Sequence, residues 1–428
     1  MIKKIKDYFK KLGPGLITGA SDDDPSGIAT YSQTGAQFGF GQLWMAFAMF
    51  PMMAAVQEMC ARIGMITGNG LAGVIRKNYP KTILYIAASL LLIANTINIG
   101  ADIGAMGAAL DLLIPVPKII TPLLFATLIL SLEIMMPYRS YSKVLKWLTI
   151  SLVAYILTAL VVGADWPEIA KASFLPHIIF DRNFFMIAVG VLGTTISPYL
   201  FFWQASEEVE EEIVEKKITS PGIRTPLVKG EEIESMRIDI ISGMFLSEIV
   251  AWFIIITTAS TLFKNGITDI GSAQDAARAL EPLVKTFPYA GFIAKSLFAI
   301  GIIGTGLLAI PVLSGSAAYA LCEGFGWKEG LYRKFKQAHG FYGVIVAATL
   351  IGLLINFIGF NPIKALIYAA VINGVVSVPL LVIIMFISNN QKIMGKYTNK
   401  KLSNYLGLIT TLFVATAVGL MFFFLVQR

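Results

Sequence analysis

Eleven apolar runs recur along this chain, near residues 14–37, 42–66, 82–110, 119–136, 144–164, 184–214, 237–263, 289–322, 340–359, 363–388 and 403–426. Many reach the roughly 20 residues that a helix needs to cross a bilayer. In hydrocarbon every backbone polar group must be satisfied internally, which leaves only helices or a closed barrel. A barrel would show short alternating segments, and none dominate here. Only 14% of the 428 residues are charged, against about a quarter in soluble domains. The sequence predicts an all-α polytopic membrane protein, a single transmembrane domain with no soluble domain attached.

The net charge of +7 would suit a nucleic-acid partner only if the bases formed one surface. Instead most of them sit in alternate loops: the basic arm before residue 13, Arg76 to Lys81, Arg139 to Lys146, Lys216 to Lys229, Lys328 to Lys336 and Lys392 to Lys401. The positive-inside bias puts these loops in the cytoplasm, with the N-terminus inside and, for an odd number of spans, the C-terminus outside. The expected partners are the lipid bilayer of the cell membrane and a transported solute, with no nucleic acid. The basic arm has no small-residue cleavage site after a short apolar core, so it reads as a retained arm. Cys60 and Cys322 lie in apolar helical surroundings, and no Cys/His cluster offers a zinc site. The acidic run Glu207, Glu208, Glu210, Glu211, Glu212 and Glu215 is expected to be a solvated helix end.

Two of the spans are broken from within. The first is interrupted by Ser21-Asp22-Asp23-Asp24-Pro25-Ser26-Gly27. Proline removes a donor and clashes with the preceding turn, and a charge at membrane depth costs several kcal/mol unless it faces protein, water or an ion. The sixth span reads Gly193-Thr194-Thr195-Ile196-Ser197-Pro198-Tyr199 and again predicts a discontinuity. Paired interruptions at corresponding places in two halves point to a transporter site built from inverted repeats. Asp24, directly before the proline, is the expected ion ligand, and Asp22 and Asp23 are further candidates facing a water-filled vestibule. Glu58, Asp102, Glu133 and Glu248 are the other acids inside spans. Asn373, with Gly374 and Ser377 in span ten, either lines the cavity or makes a helix–helix hydrogen bond.

These residues resemble the Nramp family of divalent-metal transporters. The family's GPG…DPGN pattern is matched by Gly13-Pro14-Gly15…Asp24-Pro25-Ser26-Gly27. Its ARLG-x-x-TG…LA…YP segment is matched by Ala61-Arg62-Ile63-Gly64-Met65-Ile66-Thr67-Gly68, Leu71-Ala72 and Tyr79-Pro80, and its closing EGF by Glu323-Gly324-Phe325. The resemblance implies a LeuT-type fold of two inverted five-helix repeats, about 13–164 and 184–388, plus an eleventh helix at about 403–426. It also implies a monomeric transport unit that imports a divalent ion by alternating access, with no cofactor and no enzymatic activity.

The departures from the family pattern bear on the ion. The DPGN asparagine falls on Gly27. The span-six methionine falls on Ser197, or on Ile196 if the register shifts by one, and the histidine falls on Tyr199. Hydroxyls from Thr194, Thr195 and Ser197 beside one carboxylate suit Mg²⁺, which prefers oxygen donors and keeps several waters. The family's paired acids of span three fall on Asn98 and Ala101, with Asp102 one residue away, which removes stations from a proton relay. The combination resembles the family's magnesium-transporting branch, with Mg²⁺ and also Mn²⁺ carried without proton coupling. The alternative is a proton-coupled Mn²⁺/Fe²⁺ importer. An amino-acid carrier is opposed by the acids at 22–24, which repel a substrate carboxylate, and an intramembrane enzyme lacks a second acidic motif; an ion channel keeps the same composition.

Overall fold

The computed structural model describes residues 13–136, 148–223 and 226–427. Their regular structure is all helical, with no strand among them. The first expected span is divided into α1 (Pro14–Asp22) and α2 (Pro25–Phe38). Then come α3 (Trp44–Thr67), the short α4 (Leu71–Asn78), α5 (Lys81–Asp111) and α6 (Ile120–Met135). The start of the fifth expected span lies outside the described residues, as do the first basic arm and Arg139, Lys143 and Lys146. What is described of it ends in α7 (Val153–Val161), after which α8 (Trp166–Phe174) turns by 118°. The sixth span is divided into α9 (Arg182–Thr195) and α10 (Pro198–Val214). Four long helices and one shorter one complete the described chain: α11 (Gly230–Thr261), α12 (Ala290–Phe325), α13 (His339–Ile355), α14 (Pro362–Asn389) and α15 (Lys401–Val426). Among the described residues six segments are long and apolar enough to cross a membrane, and α6 and α13 are shorter apolar helices.

Both broken spans press on unbroken helices through glycine, because only a missing side chain lets the backbones come that close. A Cβ at Gly19 of α1 would stand 2.4 Å from the Gly243 carbonyl of α11. One at Gly193 of α9 would stand 2.2 Å from the Gly374 amide of α14. The start of α1 is also tied to α11 by charge: the Asp239 carboxylate accepts the Gly13, Gly15 and Leu16 amides at 2.8, 2.6 and 3.1 Å. A helix start exposes unpaired N–H groups and a partial positive charge, so a carboxylate placed there stabilises it.

Two of the in-span acids have structural partners. Glu58 of α3 pairs with Arg62 one turn on and with Arg237 of α11, at 3.1 and 3.0 Å. Glu133 of α6 accepts the Ser314 hydroxyl of α12 at 2.6 Å.

The acidic run at the end of α10 is not the solvated helix end that its composition predicts. Glu207, Glu208, Glu210 and Glu212 are buried, and Glu215 is exposed. The reason is that α4, the end of α12 and the segment after α12 fold over it. Tyr319 and the Leu331 amide donate to Glu210, and the Ser206 hydroxyl donates to Glu323 at 3.0 Å. In that segment burial, and then the neighbouring carboxylates of Glu323 and Glu210, push the Glu329 carboxyl up to about 10 against the opposing Arg333 and Arg76.

Candidate metal site between two broken helices

The two breaks are made by the same backbone device. α1 stops at Asp22, Asp23 leaves the helical region (φ −81°, ψ 49°), and Asp24 is extended (φ −68°, ψ 172°) before Pro25 opens α2. α9 stops at Thr195, Ile196 leaves the helical region (φ −105°, ψ 60°), and Ser197 is extended before Pro198 opens α10. Proline is suited to a first helical position, where its missing N–H would have had no partner, and it pushes the residue before it into the extended region.

The side chains at the two caps behave differently. The Asp24 Oδ1 accepts the Gly27 amide and the Ser26 hydroxyl, both at 2.7 Å. Ser197 does not cap its helix; its hydroxyl turns back and donates to the Gly193 and Thr194 carbonyls at 2.8 and 2.5 Å. Asp24 is therefore rigidly placed by the helix it starts. An ionised carboxylate offers about four lone-pair directions. Ser26, Gly27 and the Asn98 amide, which donates to Oδ2 at 3.1 Å, leave capacity for a cation.

The breaks face each other. The Tyr199 hydroxyl of α10 donates to the Ser21 carbonyl of α1 at 3.0 Å, and the Tyr31 and Thr195 hydroxyls share a hydrogen bond of 2.8 Å. A Cβ at Gly27 would lie 3.0 Å from the Thr194 hydroxyl and 3.2 Å from the Asp22 carbonyl. Thr194 Oγ1, Asn98 Oδ1 and both carboxylate oxygens of Asp102 are buried without a hydrogen-bond partner among the described residues. Asp102 lies one turn beyond Asn98 on α5. Buried polar atoms are normally paired, so these oxygens mark the space around Asp24 as one that accepts positive charge.

Of the other expected residues, Ile196 is buried and its side chain carries no donor atom. Asn373 of α14 is buried with neither side-chain atom bonded, so in this conformation it does not make the helix–helix hydrogen bond that is one of its two expected roles. It adjoins Gly374, the residue on which α9 rests. In this conformation Asp22 and Asp23 are buried rather than open to a vestibule. Both are buried against α11, where the Ser247 hydroxyl donates to Asp22 Oδ2 at 2.7 Å and reaches Asp23 Oδ1 at 3.3 Å. Glu248, beside Ser247, is buried with no partner for either oxygen among the described residues.

Sequence reasoning missed Ser26, Tyr31 and Ser247. The signal for Tyr31 was its spacing, one helical turn beyond Gly27 on the same face. For Ser247 the signal was a polar pair, Ser247-Glu248, inside an apolar span. Among the described residues no three Asp, Glu, His or Cys side chains gather closely enough to hold a metal ion. The centre is thus the Asp24 carboxylate, with Asp102 beside it, among the neutral oxygens of Thr194 and Asn98. That arrangement suits a hard divalent cation keeping part of its water.

The chain matches the family model described as natural resistance-associated macrophage protein-like over residues 15–424. It is 26% identical over 431 residues to a divalent metal cation transporter MntH of Caldanaerobacter subterraneus, covering 98% of this chain and 94% of that relative. A Listeria monocytogenes protein of the same description is 26% identical over 436 residues, covering 97% and 90%. Among solved structures, a manganese transporter of Eremococcus coleocola superposes with a TM-score of 0.77 at 16% identity, covering 96% of this chain and 85% of that one. MhsT in complex with L-phenylalanine superposes with a TM-score of 0.58 at 12% identity, covering 96% and 97%. At such identities the likeness is one of fold, and it is the expected LeuT-type fold. With the family model spanning almost the whole chain, and Asp24-Pro25 standing at the first break, this multi-pass membrane protein belongs to the Nramp family.

Proposed function

We propose that this protein carries divalent metal ions into the cell by alternating access, holding the ion at Asp24 between the two broken helices. The observation that carries the reading is a buried, rigidly capped carboxylate facing partnerless oxygens of Asn98, Thr194 and Asp102. Gly27, Thr195, Ser197 and Tyr199 shape the same space. In this reading the basic loops face the cytoplasm, the protein works as a monomer in the cell membrane, and the metal is its cargo. A carrier, rather than an enzyme or a channel, accounts for the two half-helix pairs. The membrane potential favours entry of a divalent ion by about 4.6 kcal/mol per 100 mV, at about 2.3 kcal/mol per charge.

Two ions compete for the site. The donor set favours Mg²⁺: hydrogen bonds and orphan atoms around Asp24 are all oxygen or amide. On this reading no proton gradient is needed. The relatives favour the alternative, a proton-coupled Mn²⁺/Fe²⁺ importer, because their names are those of manganese and divalent-metal transporters. Asp102, buried and unpartnered, supplies a titratable group to that alternative.

Purified protein in liposomes separates the two. Uptake of Mg²⁺ and Mn²⁺, each competing with the other, without internal acidification supports the magnesium reading. Mn²⁺ uptake untouched by excess Mg²⁺ and accompanied by acidification establishes the alternative. Uptake of neither ion overturns both.

A further inference from the structure

Most basic residues of this chain lie in loops at one end, and the positive-inside bias accounts for which end that is. It does not account for a cleft. Between the segment after α12, the turn Phe335–Gln337 and the start of α13 lies a space of about 740 Å³. That is within the roughly 300–1,000 Å³ of small-ligand sites. Lys328, Arg333 and Lys336 line it, and among the described residues no acid does. Trp327, Lys328 and Arg333 also line a neighbouring cavity of about 430 Å³, which adds Arg76 and Lys77 of α4.

The acids of this region leave the positive charge in surplus. Glu323 and Glu329 line only the smaller cavity. Glu323 accepts the Gly73 amide at 2.8 Å and the Ser206 hydroxyl at 3.0 Å. Glu329, its carboxyl pushed up to about 10 by burial and then by Glu323 and Glu210, is protonated at pH 7. Among the described residues Arg76, Lys77, Lys328, Arg333 and Lys336 form no ion pair with a carboxylate. Arg76 donates to the Glu323 carbonyl at 3.2 Å, and Lys77 to the Asn69 side chain and the Gly222 carbonyl at 2.8 and 3.2 Å. Arg333 donates through Nε alone, to the Glu329 carbonyl and the Tyr332 hydroxyl at 3.0 and 2.9 Å. Burial, and then the Arg76 charge, pull the Lys77 ammonium down against the weaker opposing effect of Glu323. The segments outside the described residues are themselves basic, with Asp7 their one acid, so the chain brings little counter-charge of its own.

The planar fork of arginine and the point charge of lysine both suit phosphate oxygens. Ala338 and Gly340, at the start of α13, also line the cleft, and no side chain caps that helix, which adds a partial positive charge. Beside the cleft the rings of Trp327 and Phe325 stack at 5.2 Å, Tyr85 of α5 lies 6.4 Å from Phe325, and all three are about half exposed. Aromatic rings of this kind gather at the level of the lipid headgroups, where basic pockets hold acidic ones. We propose that the cleft between Lys328, Arg333 and Lys336, beside Trp327, binds the phosphate group of an anionic lipid. A soluble phosphate offers the same chemistry, and the test separates the two sources.

The full chain is placed in nanodiscs of phosphatidylcholine with and without phosphatidylglycerol, and the lipid that stays bound on release is counted by native mass spectrometry. The expected result is one phosphatidylglycerol per chain, its retention falling roughly tenfold, or about 1.4 kcal/mol, in Lys328→Gln/Lys336→Gln. Both lysines are exposed, and an unchanged melting temperature in phosphatidylcholine shows that this variant folds. Lys392→Gln/Lys396→Gln removes the same charge from another loop at the same end and keeps the lipid. In a second arm inorganic phosphate and ATP are titrated by calorimetry into the phosphatidylcholine sample, with no binding expected. Binding of either that is lost in Lys328→Gln/Lys336→Gln, with no phosphatidylglycerol retained, overturns the lipid and assigns the cleft to a soluble phosphate. Binding of none of the three, or an equal loss in the two variants, overturns the site and leaves these bases as diffuse topogenic charge. None of these outcomes depends on which ion is carried.

Discussion

The two broken spans share a backbone and differ in chemistry. Each has an extended residue before a proline, and each lets its second half-helix begin at that proline. At the first break the cap is a carboxylate, held by Ser26, Gly27 and Asn98. At the second the corresponding serine directs its hydroxyl to the Gly193 and Thr194 carbonyls of the helix it ends. The first break is therefore built to hold charge and the second to hold shape. Proline placement sets the geometry twice, while the affinity for an ion comes from one side.

The sharpest way to break this asymmetry is Asp24→Ala. It removes the carboxylate that caps the second half-helix of the first break, and truncating a buried charge partner costs about 2–5 kcal/mol. Uptake in liposomes should fall roughly thirtyfold or more, since each 1.4 kcal/mol is about tenfold. Near-normal uptake by a correctly folded Asp24→Ala protein would move the site elsewhere. Gly27→Ala comes next. Its new methyl must displace the Thr194 hydroxyl or the Asp22 carbonyl, and overpacking of this kind costs about 1–3 kcal/mol. The expected outcome is a higher KM with the protein still monodisperse; an unchanged KM would mean that the two breaks are not in contact when the ion binds.

Much of this arrangement was legible in the sequence. Asp24 before Pro25 and Ser197 before Pro198 announced both breaks, because a proline turns the residue before it away from the helical region and then serves as the first residue of a new helix. The packing of Asp22 and Asp23 against Ser247 was not legible, since which face of a nine-residue half-helix turns inward is decided by Gly15 and Gly19 pressing on α11. Nor was the burial of Glu207 to Glu212. Composition reads a run of glutamates as solvated, and its cover, from α4, the end of α12 and the segment after it, is a tertiary event. In the sequence Asn98 stands out only as a residue at a position where the family has an acid. In the fold its amide holds Asp24 directly, a tertiary contact that no local pattern encodes.

The finest test of the comparison sets Thr194→Ala against Ser197→Ala. Thr194 carries a hydroxyl that has no partner among the described residues and faces Gly27 across the gap, so its loss should be felt by the ion. One hydrogen-bond-sized contribution is about 0.5–1.5 kcal/mol, which is roughly a two- to tenfold rise in KM with little change in thermal stability. Ser197 donates both of its contacts to its own helix. Removing it should lower the melting temperature by a few degrees and leave the KM within about twofold, because a buried backbone carbonyl loses a donor while the ion loses nothing. If instead Ser197→Ala raises the KM and Thr194→Ala only lowers stability, the second break contributes its ligand from the cap after all. The two half-helix pairs would then be chemically as well as geometrically alike.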